Sequence, residues 1–114
     1  LIMIVKYDVK LIEELEIALT YYIKGLMVNG SEERFIFDIQ RMTEHSLVEY
    51  TKLDLIENNF LKSHVSIVDS HIEIDFTHSK ETKQVIKIRI PCFKLENTKR
   101  QIYNLSGKVK VEVF

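Results

Sequence analysis

Several residues are scarce in this sequence, and each scarcity removes a class of answer. There is one cysteine, Cys92. It excludes an internal disulfide and fits a reducing, cytoplasmic compartment. It sits in an apolar strand with no activating base nearby, so a buried structural thiol is expected. The three glycines, at 25, 30 and 107, are too far apart for a glycine-rich phosphate loop. The single proline, Pro91, cannot donate to a strand ladder and so belongs at an edge, a bulge or a strand end. Net charge is only −1, which makes no overall case for nucleic acid or a membrane surface. No apolar run is long enough to cross a bilayer. The opening LIMIV run is too short for a signal peptide and lacks a basic flank and a cleavage site. Leu1-Ile2-Met3 fits either vector residues ahead of a native Met3 or a trimmed fragment. Alanine occurs once, at Ala18, against fifteen isoleucines and twelve lysines. AT-rich codons produce that bias, which points to a low-GC bacterium, or to a phage or mobile element living in one.

What is present reads as one globular domain over 1–114. Hydrophobic residues make up 46% and charged residues 29%, enough for a core without metals or disulfides. Charge is unevenly spread. Residues 1–57 carry six basic and eleven acidic side chains, and residues 58–114 carry ten and six. Two halves of one small domain will largely neutralise each other.

The stretch Asp8–Gly30 is expected to form a long helix. Leu11, Leu15, Leu19, Tyr22 and Leu26, flanked by Ile12 and Ile23, fall on one side at about 100° per residue. Asp8 can cap the start, and Asn29-Gly30 is a stop signal. Glu13, Glu14 and Glu16 are expected to face outward in the N-terminal half, where the helix dipole favours acids. Tyr21-Tyr22 reads as a pair of ordinary core aromatics. Ahead of this helix, Ile2–Tyr7 reads as a short inner strand. After it, Ser31 with Glu32 and Glu33 reads as a second cap. Residues 34–41 have both strand and helix character, and a second helix is expected over about 43–61.

From His64 the apolar period changes to two. Ile72, Ile74 and Phe76 alternate with His71, Glu73 and Asp75, and Ile86, Ile88 and Ile90 alternate with Lys87 and Arg89. An antiparallel hairpin with Phe76 facing Ile86, Ile74 facing Ile88 and Ile72 facing Ile90 keeps one face apolar. It also sets Asp75 opposite Lys87 and Glu73 opposite Arg89. Lys94–Leu105 reads as a polar loop with one or two helical turns. Lys108–Phe114 reads as a final strand with Val109, Val111 and Val113 on one face. The expected fold is an α+β two-layer sandwich: a mainly antiparallel sheet against the long N-terminal helix and the second helix.

Three groups carry candidate chemistry. His71, Glu73 and Asp75 share a strand face and are weak metal-ligand candidates, although a solvated face is the commoner outcome. Asp75 with Glu81-Thr82-Lys83 loosely resembles the D…ExK pattern of restriction-type nucleases. That resemblance implies two carboxylates on Mg²⁺ and a lysine beside the attacking water. Here ExK begins in the expected hairpin turn, close behind Asp75, where the family carries it on a neighbouring strand. Lys87, Arg89, Lys108 and Lys110 are partner-binding candidates on the polar sheet face. That face lacks the interleaved aromatics of a single-strand nucleic-acid binder, so nucleic acid is disfavoured. The three histidines at 64, 71 and 78 would alternate faces on strands and form no cluster. The expected role is therefore a small cytoplasmic protein–protein interaction or accessory protein. Homo-oligomers are expected, with no catalytic residue and no cofactor. The alternative is a metal-dependent, nuclease-like enzyme using carboxylates of the 71–83 hairpin.

Overall fold

Two helices lie on one face of a five-stranded antiparallel sheet, the expected α+β architecture. The computed structural model describes residues 9–26, 31–51, 55, 57, 59–60, 62–68, 70–80, 84–97 and 100–114. The expected strand Ile2–Tyr7, the Asp8 cap and the Asn29-Gly30 stop lie outside these residues.

Helix α1 (Val9–Leu26) buries Ile12, Leu15, Leu19 and Ile23. This stripe is rotated from the expected one. Leu11 is only partly covered, and Tyr22 is 43% exposed. Glu16, expected outward, is instead 7% exposed. The cause lies at the far end of the chain. Glu16 Oε2 accepts the Val111 N–H at 2.9 Å, and Thr20 Oγ1 accepts the Val109 N–H at 2.9 Å. Thr20 donates in turn to the Glu16 carbonyl at 2.7 Å, and Lys108 Nζ lies 3.9 Å from Glu16 Oε1. The Val111 N–H sits on the outer edge of the last strand, and the Val109 N–H lies just ahead of it. An open edge is a template for unwanted strand pairing, and α1 closes it with side-chain acceptors.

Helix α2 (Glu32–Thr51) runs back beside α1 and resolves residues 34–41 as helix. Ser31 starts it: the Arg34 N–H donates to Ser31 Oγ at 3.3 Å and the Phe35 N–H to the Ser31 carbonyl at 3.0 Å. Arg34 pairs with Asp38 at 3.2 Å, and Arg41 lies 5.6 Å from the Phe37 ring centroid, both one turn on. Phe35 and Ile39 are buried, which decides the period in favour of helix. The expected span of 43–61 begins and ends too late. Beyond Thr51, Leu55, Glu57 and Asn59 lie in turns. Asn59 takes φ 64°, and the Phe60 N–H donates to the Leu55 carbonyl at 2.7 Å. Leu55 and Phe60 both join the core from this segment.

The sheet order is β1-β2-β3-β4, with β5 also on β3. The strands are β1 (Lys62–Val68), β2 (His71–Thr77), β3 (Val85–Asn97), β4 (Arg100–Leu105) and β5 (Lys110–Val113). The β2–β3 register is the expected one, from Phe76↔Ile86 to Ile72↔Ile90. Of Lys94–Leu105, expected as a loop, Lys94–Asn97 is instead the end of β3, paired with β4 (Arg100–Leu105). A backbone ladder holds it, and Tyr103 is buried with its ring stacked on Phe35 at 5.0 Å.

Strands β4 and β5 lie on the same side of β3, as one strand with an interruption. Cys92 pairs with Leu105, and Arg89 with Lys110. Two residues of β3 therefore face four, Ser106–Val109, which form a bulge. Pro91 sits opposite it. Its carbonyl accepts the Ser106 N–H at 2.9 Å, and its missing donor falls where the ladder is already broken. A Cβ on Gly107 would lie 3.3 Å from Pro91 Cγ, so glycine lets the bulge close over the proline ring.

Candidate functional site

The helices cover one sheet face with Ile72, Ile74, Phe76, Ile86, Ile88, Ile90, Val109 and Val111. The other face carries the polar partners of the alternation. Strand pairing sets His64, Asp75, Lys87 and Glu112 in one row, and Ser66, Glu73, Arg89 and Lys110 in the next. Opposite charges alternate across the first row; in the second, Arg89 stands between Glu73 and the like charge of Lys110. Arg89 Nη2 lies 3.7 Å from Glu73 Oε1, and Lys87 Nζ lies 5.9 Å from the Phe114 ring centroid. Burial and then Glu73 push the Asp75 carboxyl above its ordinary value, against the opposing pull of Lys87 and His64. Asp75 Oδ1 is buried without a hydrogen-bond partner among the described residues.

Of the four basic candidates, Lys87, Arg89 and Lys110 share this face. Lys108 is separate: it lies in the bulge and reaches Glu16 at the α1 edge. The rows match Lys87 and Arg89 with Asp75, Glu112 and Glu73, so most of their charge is met within the sheet. His71, Glu73 and Asp75 do line one strand, but no group of three such side chains among the described residues is placed to hold a metal ion. Glu81-Thr82-Lys83 lies outside the described residues. His78 is on the helix-covered side, edge-on to Phe60 at 5.3 Å, and its Nδ1 accepts the Lys80 N–H at 3.1 Å. That acceptor role requires a neutral tautomer. Cys92 is 3% exposed, and burial pushes its thiol up, partly offset by a backbone hydrogen bond at Ile72.

A different surface emerges on the outer side of α1. Ile17 is 61% exposed and Tyr21 76% exposed, with Tyr22 at their flank. Tyr21 and Tyr22, expected in the core, instead pack edge-to-face against each other at 5.9 Å. With Glu14, Ala18 and Tyr50 of α2 they line a shallow groove of about 540 Å³. Partial desolvation raises the Tyr50 phenol above its ordinary value, helped by the neighbouring Tyr22, Glu49 and Glu14. The sequence does carry a signal for this surface. Glu14, Ile17, Tyr21 and Lys24 are spaced three, four and three, a second stripe on the side of the helix away from Leu15, Leu19 and Ile23. Once one apolar stripe has been assigned to the core, a second on the same helix is left without a partner among the described residues.

Compared with known proteins, the chain matches no family model, no curated protein and no solved structure. No helix among the described residues is long and apolar enough to cross a membrane.

Proposed function

We propose that this chain is a small, non-catalytic protein-binding domain that engages its partner through the outer face of α1. The observation that carries this reading is the exposure of Ile17 and Tyr21 on a regular helical stripe. Contiguous exposed apolar surface is costly to keep in water and marks interaction sites more often than chance. Tyrosine is among the residues that most often anchor protein interfaces, because its ring buries area and its hydroxyl stays satisfied. The sheet face is a weaker candidate, since Lys87 and Arg89 already stand opposite acids.

The test is affinity capture from the native host followed by mass spectrometry, run in parallel with wild type, Tyr21→Glu and the double variant Lys87→Glu/Arg89→Glu. A partner retained by the sheet-face variant and lost with Tyr21→Glu supports the reading. Loss with the sheet-face variant alone would move the site to the sheet. Identical capture by all three would reject both surfaces.

A further inference from the structure

Resting on that reading, we infer that the partner on the outer face of α1 is a second copy of the same chain, docked with its own α1 antiparallel. The spacing of Glu14, Ile17, Tyr21 and Lys24 averages close to the repeat of helices that pack along a seam. The stripe is acidic at its N-terminal end and basic at its C-terminal end. It is therefore complementary to itself when reversed, and self-repelling when laid parallel. About a two-fold axis level with Leu19, Ile17 of one copy faces the partner's Tyr21. The same operation sets Glu14 against the partner's Lys24, and each contact occurs twice, as a closed two-fold interface requires.

The local geometry permits the approach. Gly25 follows Lys24, and a Cβ placed there would meet nothing within 4 Å, so a facing backbone can come close at the end of the seam. Ile17, Ala18, Tyr21 and Tyr22 line the groove that the partner's ridge would fill. A tyrosine side chain offers roughly 200 Å². With Tyr21 76% and Tyr22 43% exposed, each copy contributes a few hundred Å² of apolar surface. That is the low end of specific interfaces, so the dimer is weak and reversible.

Sedimentation velocity on the full chain, from micromolar to near-millimolar, tests this. Wild type should pass from monomer to dimer. Glu14→Lys and Lys24→Glu should each weaken self-association by roughly tenfold or more, because each sets like charges face to face. Mixed one to one, the two variants should associate at least as well as wild type, since both facing pairs are then opposite in charge. Circular dichroism checks that both remain folded, and Ile17→Ser probes the same face without changing charge. A wild type that stays monomeric to near-millimolar, a dimer indifferent to all three substitutions, or a mixture that fails to associate would each overturn the inference. If the chain is monomeric while capture still yields a foreign partner lost with Tyr21→Glu, the docking face stands and the second copy falls. If Tyr21→Glu changes neither, both fall.

Discussion

Replacing Glu16 with alanine removes the acceptor that closes the outer edge of β5. A hydrogen bond to a charged group contributes about 1.5–3 kcal/mol. Val111, 4% exposed, would be left with an unpaired N–H away from water. Losing one buried methylene adds about 0.8 kcal/mol. The Lys108 contact adds little, because its ammonium side chain is 46% exposed and the separation is 3.9 Å. Together these give a loss of about 2–4 kcal/mol for Glu16→Ala. Glu16→Gln keeps the shape and one acceptor and should lose about 1 kcal/mol, the difference between a charged and a neutral bond. Thr20→Val keeps the shape but strands the Val109 N–H, for about 1–2 kcal/mol. At this chain length each kcal/mol corresponds to about 4 °C in melting temperature. Urea unfolding measures the three losses, and amide exchange at Val111 reports whether the edge has opened. A Glu16→Ala protein within about 0.5 kcal/mol of wild type, with Val111 still protected, would show that the carboxylate does not hold the edge.

Two further outcomes follow from the site chemistry. Asp75 binds its proton more tightly in the folded chain than in the unfolded one, so stability falls as pH rises through and above the ordinary carboxylate range. Asp75→Asn should therefore gain on wild type, in urea midpoints, as pH is raised from about 4 to 7; a gap that narrows would contradict the burial argument. Cys92, buried and with its thiol pushed up, should resist an aromatic disulfide reagent in the native state and react at once in denaturant, and rapid native labelling would count against its placement.

Where pairing was local, the sequence was a good guide. Ile72–Phe76 and Ile86–Ile90 alternate strictly, and the charges between them admit one register, so the β2–β3 ladder could be written down residue by residue. Ser31 announced the start of α2 just as clearly. The β-branched and aromatic run at 35–37 obscured it, because strand propensity and helical period compete over so short a window. The β3–β4 hairpin was hidden for a different reason. The sequence linking Asn97 to Arg100 contains no glycine, so the usual punctuation is missing. The stripe on α1 was misplaced by a rotation that only a distant partner could reveal. Nothing near Glu16 in sequence says that Val111 needs an acceptor. Tyr21 and Tyr22 were lost to the core by the same step, and with them the surface on which the functional reading now rests.

The seal between α1 and β5 also has a kinetic meaning. Its two hydrogen bonds join residues 95 and 89 positions apart, almost the whole length of the chain. Closing so long a loop costs entropy that few other contacts have yet offset. The β2–β3 hairpin, by contrast, can form from neighbours. Ile74→Ala and Ile88→Ala should therefore slow folding, whereas Glu16→Ala should leave the folding rate nearly unchanged and speed unfolding. Stopped-flow chevrons separate the two limbs, and a Glu16→Ala effect confined to the folding limb would reverse the assignment. On this ordering the hairpin sets how fast the native state is reached, and a single carboxylate in the first described helix sets how long it lasts.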